Sequence, residues 1–153
     1  MPQLASLPAG CRQLGVSLLE VLVAVLVLAI GVLGAAQLQL AALRYNASAA
    51  HATQASFIAY DMLDRLRANA GNLDAYAGMA VRGCDASQPA AEVLAQDESD
   101  FTAAVGCQLP NGSGSIVVDG NRATVTVSWS EARIAGDEQE TRFVVSSRVG
   151  AGP

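Results

Sequence analysis

The chain has 153 residues, of which 52% are hydrophobic and only 5% aromatic. This length allows one folded domain beside a membrane segment, but not comfortably two domains. The formal net charge of −5 argues against a nucleic-acid partner, because such a surface needs clustered cations.

Residues 1–15 contain no acidic residue, a single arginine (Arg12) and no apolar run. A secretory signal is cleaved behind its hydrophobic region, next to small residues. Here the small residue, Gly15, stands in front of the hydrophobic region. A cut after Gly15 would therefore leave the apolar segment in the mature chain.

From Val16 to Ala36 the chain is apolar except for Ser17 and Glu20. A helix needs roughly 20 such residues to cross the hydrocarbon core of a bilayer. A carboxylate at depth in lipid costs on the order of 2.5–3.5 kcal/mol, so it marks a functional site with a partner. We predict a transmembrane helix over 16–36 with Glu20 as its functional residue. The simpler alternative is a single-span anchor whose Glu20 lies at the headgroup boundary.

The start of this stretch resembles the signature of type IV prepilins, which is Gly, a hydrophobic residue, Thr or Ser, two aliphatic residues and Glu. In this chain the signature reads Gly15-Val16-Ser17-Leu18-Leu19-Glu20. The resemblance implies that a prepilin peptidase cleaves after Gly15 and methylates the new amino group of Val16. Valine departs from the usual Phe or Met at this first position.

The resemblance also implies how Glu20 is used. Cleavage would leave a cationic amine at Val16, and a helix that joins a bundle would bury both charges in apolar surroundings. Breaking one partner of a buried pair costs about 3–5 kcal/mol, so a subunit would enter only in the register that pairs Glu20 with an amine. In the family, that amine belongs to a neighbouring subunit.

Orientation follows from the same resemblance. Arg12 and the amino terminus favour an inside N-terminus, while Arg44 lies on the other side of the span. The resemblance favours the inside N-terminus, which gives a single-pass inner-membrane protein that later moves to the pilus at the cell surface. The implied partners are other major and minor pilins through the N-terminal helix, prepilin peptidase and the pilus assembly machinery.

Beyond Ala36 no helix breaker occurs until Gly71, and the composition favours continued helix. Apolar residues then recur at three- and four-residue intervals, at Ala55, Ile58, Ala59, Met62, Leu63 and Leu66. Asp61 and Arg65 form an i,i+4 pair largely off this stripe. We predict one helix from about Val16 to about Ala70, whose second half covers a small domain.

The end of this helix resembles the V-type minor pilins, the PilV-like pilus modification proteins. They carry a similar Met-x-x-Arg-Leu-Arg-x-Asn ending, which here is Met62 to Asn69. The resemblance covers roughly residues 15–70 and implies a pilin-like fold, in which a long helix packs on a small sheet.

Three cysteines occur, at Cys11, Cys84 and Cys107. Cleavage after Gly15 would remove Cys11 and leave an even pair. An even pair in an exported domain favours one disulfide, worth roughly 3 kcal/mol for a loop of about 20 residues. The alternative is two free buried thiols.

Residues 71–115 show no sustained period, which predicts an irregular connection with a short helical turn near 90–96. Asp97-Glu98-Ser99-Asp100, together with Asp85 and Glu92, forms an acidic cluster. It lacks the spaced ligands and turn glycine of a calcium loop. We therefore expect a solvated acidic loop rather than a calcium site.

From Ser115 the apolar period becomes two. Asp119-Gly120 between β-branched runs predicts a hairpin. Its second strand places Ala123, Val125, Val127 and Trp129 on one face. A polar turn through 131–138 leads to a third strand at 141–149.

Three antiparallel strands with one apolar face need a cover, and the amphipathic half of the long helix supplies it. The predicted fold class is α+β, with a sheet of about three strands. The predicted segments are a cleaved leader (1–15), an assembly helix (16–36), its amphipathic continuation (37–70), a disulfide-tied loop (71–115) and the sheet (116–149).

No nucleophile elbow, phosphate-binding loop or metal-ligand spacing occurs, and the single histidine, His51, lies in a helical stretch. Nothing indicates an enzyme, a cofactor or a metal. The leading hypothesis is a minor pilin that is assembled into, or primes assembly of, type IV pili, with roles in adhesion and twitching motility. The alternatives are a minor pseudopilin of a type II secretion system and a membrane-anchored binding module with an uncut N-terminus.

Overall fold

The computed structural model describes residues 17–85, 87–132 and 140–150. The chain divides into two compact units, Met1–Ala41 and Ala42–Pro153. A single α-helix, α1 (Leu18–Ala68), begins in the first unit and ends in the second. The prediction of one uninterrupted helix, about fifty residues long, is confirmed to within two residues at each end.

The second unit continues from α1 with a short 3₁₀ helix, a second α-helix and four strands. They are the 3₁₀ helix Ala70–Tyr76, β1 (Ala80–Arg82), α2 (Val93–Gln108), β2 (Ser113–Asp119), β3 (Arg122–Ser130) and β4 (Glu140–Arg148). The strands form one antiparallel sheet in the order β1-β2-β3-β4. The α+β class with a helix on an antiparallel sheet is confirmed.

The hairpin between β2 and β3 forms where the sequence predicts it. Asp119 pairs with Arg122, which leaves Gly120 and Asn121 as the two turn residues. Gly120 has a φ of 58°, a conformation that glycine adopts without steric cost. The apolar period of β3 also holds, because Ala123, Val125, Val127 and Trp129 are all buried.

The core lies between α1, α2 and the inner face of the sheet. All six residues of the α1 stripe are buried, as their spacing predicts: Ala55, Ile58, Ala59, Met62, Leu63 and Leu66. They belong to one cluster with the inner residues of β3 and with Phe101 and Val105 of α2. Trp129 is 2% exposed, and its indole N–H donates to Glu131 at 3.2 Å.

The prediction of an irregular connection over 71–115 is wrong. This segment holds the 3₁₀ helix, β1 and the 16-residue helix α2. In α2 the positions of Leu94, Asp97, Phe101 and Val105 follow a helical spacing of three, four and four residues. Asp97 is buried like Phe101 and Val105, but its charge interrupts the apolar pattern and hides the helix.

The expected three strands are four, because β1 pairs with β2 through only three residues. So short a strand carries no readable alternation. The other strands differ from the predicted bounds by a few residues: β2 begins at Ser113, and β4 runs over Glu140–Arg148. Most of the predicted turn over 131–138 lies outside the described residues.

The carboxyl end of α2 is joined to the end of β1 by a disulfide between Cys84 and Cys107, whose Cα atoms are 4.6 Å apart. Gly106 makes this approach close, because a Cβ there would lie 1.7 Å from the carbonyl oxygen of Gly83. Only glycine fits this point of α2 without displacing the segment after β1.

Candidate functional site

The cleavage site expected from the sequence, Gly15 and Val16, lies outside the described residues. The described chain begins at Ser17, which caps α1. Its hydroxyl accepts the backbone N–H of Glu20 at 3.2 Å, and its carbonyl accepts the N–H groups of Glu20 and Val21. Serine is a preferred N-cap residue, because the first N–H groups of a helix have no partner inside it.

Glu20 lies in the first turn of α1, and its side chain is exposed. Within the described residues, its carboxylate has neither an ion-pair nor a hydrogen-bond partner. In a capping box the acid would turn back to the N–H of the serine. The structure contains only the serine half of that arrangement, so the carboxylate is free for an external cation.

The surface around Glu20 is apolar and uncovered. The large aliphatic residues from Leu18 to Leu33 are 49–86% exposed. Of the helices in the described part of the chain, α1 is the one long and apolar enough to cross a membrane, judged by length and composition. Such a surface needs lipid or other helices around it.

A second polar constellation lies at the other end of α1. The guanidinium of Arg65 contacts three carboxylates: Asp61 at 2.9 Å, Asp97 at 2.9 Å and Asp100 at 2.8 Å. Asp61 is on α1, and the other two are on α2. Arg65 therefore fastens α2 to the end of α1, and the predicted Asp61–Arg65 pair is confirmed as one contact of a larger network.

The network extends to the 3₁₀ helix through Tyr76. Its hydroxyl donates to Asp97 at 2.6 Å and accepts from the side-chain amide of Asn69 at 2.9 Å. Burial raises the pKa of the Tyr76 hydroxyl above its usual value, and the hydrogen bond to Asp97 raises it further. Tyr76 therefore remains a hydrogen-bond donor at neutral pH.

Two charged members of the network have shifted pKa values. Burial alone would lower the pKa of Arg65, but its hydrogen bonds to the three aspartates outweigh burial and raise it. The pKa of Asp100 is lowered, chiefly by a hydrogen bond from Ser87 and also by those from Arg65 and Gln96. Both groups are therefore held in their charged forms.

The expectation of a solvated acidic loop is wrong for part of the cluster. Asp97 is 6% exposed inside a helix, and Asp100 is half-buried. Both carboxylates bind the guanidinium of Arg65, which the sequence predicted only in a surface pair with Asp61. Among the described residues, no group of three or more His, Cys, Asp or Glu is placed to hold a metal ion.

The network also gives a physical role to the helix ending singled out in the sequence. Met62 and Leu66 enter the core, Arg65 binds the aspartates of α2, and Asn69 binds Tyr76. Arg67 pairs with Asp64 and donates to Ser147 of β4 at 2.8 Å. The sequence indicated no role for Tyr76 and predicted a solvated Asp97. The signal for their contact was the position of Asp97, an acid at a core spacing of α2.

Comparison with known proteins places one feature in a family. The prokaryotic N-terminal methylation motif matches residues 10–36, which include Gly15, Val16 and Glu20. Neither the search of curated proteins nor that of solved structures returned a match. The motif and the exposed apolar helix together support a type IV pilin-like or pseudopilin-like protein that is anchored in the inner membrane, processed by prepilin peptidase and assembled with other pilins.

Proposed function

We propose that the chain is a minor pilin subunit, inserted with its N-terminus inside, that is incorporated into type IV pili or primes their assembly. The peptidase would cut after Gly15 and methylate the amino group of Val16. The motif over residues 10–36 supports this processing. The subunit would then leave the bilayer and pack its apolar helix among those of other pilins, with roles in adhesion and twitching motility.

The observation that carries the proposal is the partnerless carboxylate of Glu20 on an otherwise apolar and exposed stretch. A charge there is expensive in lipid or in a helix bundle unless a cation meets it. Cleavage creates such a cation only four residues away along the chain, at Val16. A neighbouring subunit shifted along the helix axis would bring its own amine to Glu20.

The cap by Ser17 would let this pairing occur without unravelling the helix. In an apolar environment each unsatisfied N–H group costs several kcal/mol, on the order of 4–8 in hydrocarbon. The Ser17 hydroxyl satisfies the N–H of Glu20 without using the Glu20 side chain. The carboxylate therefore stays available to the neighbouring subunit.

The first experiment tests processing. Gly15→Val should leave full-length precursor in membranes, because the peptidase acts next to a small residue. Gly10→Val, a matched change elsewhere in the leader, should be processed normally. Immunoblots and mass spectrometry of the mature N-terminus distinguish the two products. A wild-type chain that retains Met1 would exclude the proposal and favour an anchored binding module.

The second experiment tests assembly. Glu20→Gln should be cleaved normally but should be depleted from sheared pili, whereas Glu20→Asp should be incorporated better because it keeps the charge. Equal amounts of the Gln variant and wild type in pili would refute the charge-pair role.

A third experiment distinguishes a pilin from a pseudopilin. Deleting the chain should reduce piliation and twitching, and a defect confined to protein secretion would indicate a pseudopilin.

A further inference from the structure

The side of the sheet turned away from the core carries an unusual set of residues for an acidic chain. We call it the outer face, meaning the positions of β1 to β4 that alternate with the buried ones. Four of the nine arginines lie on it: Arg82, Arg122, Arg142 and Arg148. None of their guanidinium groups has an ion-pair or hydrogen-bond partner within the described residues. The carboxylates on this face are Asp119 and Glu140, one at each end.

Hydroxyl groups fill the space between the arginines. Thr124 and Ser146 hydrogen-bond each other at 2.7 Å. Four other hydroxyls have no partner among the described side chains and backbone groups: those of Ser113, Ser115, Thr126 and Ser128. All four line one open groove of about 290 Å³, together with Arg82.

The strand register places this groove between two cations. Arg82 of β1 is opposite Ser113, Ser113 is opposite Ser128, and Ser128 is opposite Arg142. The row crosses all four strands, so its end Cα atoms are about 14 Å apart at the usual strand spacing. An extended ligand that crosses the strands would meet an arginine, a run of hydroxyls and a second arginine.

We propose that this groove binds an acidic polysaccharide, with sugar carboxylates on Arg82 and Arg142. Guanidinium groups bind carboxylates through paired, charge-assisted hydrogen bonds. Serine and threonine hydroxyls both donate and accept, so they can match the hydroxyls of a sugar ring. The ligand is anionic, which complements the positive charge of this face on a chain of net charge −5. This binding goes beyond the proposed assembly role and does not depend on it.

Other occupants fit the face less well. Protein interfaces are anchored by buried aromatic residues, and single-stranded nucleic acid stacks on them. The large apolar residues at the described outer positions are Val117 and Val144, with no aromatic residue among these positions.

The test uses the full chain in detergent and isothermal titration with defined polymers. Oligogalacturonate, a carboxylated polysaccharide, should bind, and neutral dextran of similar length should not. Duplex DNA and polyglutamate carry the charge without the sugar hydroxyls next to carboxylates, so they should bind at least tenfold more weakly. The absence of oligogalacturonate binding, or equal binding of DNA or polyglutamate, would overturn the proposal.

Matched variants separate the groove from general charge attraction. Arg142→Ser should weaken oligogalacturonate binding roughly tenfold, while Arg148→Ser, on the same strand and face but outside the row, should change it much less. Thr126→Val removes a groove hydroxyl and keeps the side-chain shape, and it should weaken binding several-fold. Thr124→Val, outside the groove, should not. If the two arginine variants, or the two threonine variants, lost equal affinity for oligogalacturonate, the groove would not be the binding site. The fluorescence of the single Trp129 confirms that each variant is folded.

Discussion

The hydroxyl of Tyr76 donates to one carboxylate oxygen of Asp97 at 2.6 Å, while Arg65 donates to the other oxygen at 2.9 Å. Asp97 is almost fully buried, yet each of its oxygens has a hydrogen-bond partner, and one of them forms an ion pair with Arg65. This one residue joins α2 to α1 and to the 3₁₀ helix. Asp97 therefore helps to hold the segment after α1 against the core.

The first prediction concerns this junction. Asp97→Ala should lower the free energy of unfolding by about 2–3 kcal/mol, because it leaves Arg65 and Tyr76 without their shared partner. The loss should stay below that of a fully buried pair, since Arg65 keeps Asp61 and Asp100. The measurement is thermal unfolding of the full chain in detergent, followed by Trp129 fluorescence. Glu98→Ala, an exposed neighbour, should change stability by less than about 0.5 kcal/mol.

The second prediction concerns acid stability. The pKa of Asp100 is lowered from its ordinary value of 3.8, so the folded state favours the ionised carboxylate. Its contribution is therefore present above the unfolded pKa and is lost as the pH falls through the lower folded pKa. Unfolding temperatures measured from about pH 5 to about pH 2 should fall less steeply for Asp100→Asn than for wild type. If the unfolding temperatures of the variant and of wild type fell equally steeply with pH, Asp100 would not be a source of this acid sensitivity.

The third prediction concerns the disulfide. Cys84 and Cys107 are 23 residues apart, and a loop of that size is worth roughly 3 kcal/mol. The double change to serine should lower the unfolding temperature, and reductant should lower that of wild type to the same value. Cys11→Ser, outside the expected mature chain, should leave stability unchanged. If reductant also lowered the unfolding temperature of the double variant, the effect of reductant on wild type could not be assigned to this disulfide.

The fourth prediction concerns close packing at the end of α2. Gly106→Ala should destabilise the chain by about 1–3 kcal/mol, because its Cβ would collide with the backbone carbonyl of Gly83. The gain in helix propensity, at most about 1 kcal/mol, does not compensate. Gly71→Ala is the matched control, since a Cβ there meets no atom within 4 Å. Equal stabilities of the two variants would show that the contact can relax.

The spacing of apolar residues was sufficient to predict secondary structure and burial wherever a segment keeps one hydrophobic period throughout. The uninterrupted helix, its six-residue stripe and the buried face of β3 follow from spacing alone, because each position there is either apolar and inside or polar and outside. The hairpin follows from Asp119-Gly120 for a similar reason, since the turn requires a residue tolerant of positive φ. The apolar stretch with its lone Glu20 could also be recognised from the sequence, because an acid is costly in such surroundings.

Residue spacing could not predict three features of the structure: helix α2, strand β1 and the Arg65 network. Asp97 looks like a surface residue until Arg65 and Tyr76, which precede it by 32 and 21 residues, are brought against it. A strand of three residues exists only because β2 offers it a partner edge. The groove on the outer face likewise needs the register, which aligns Arg82, Ser113, Ser128 and Arg142 from four strands.

The sequence by itself determined where apolar surface must be covered, because burial depends on composition and period. Tertiary structure alone decided which polar groups meet, because the cost of burying a charge depends on partners that are distant in the chain.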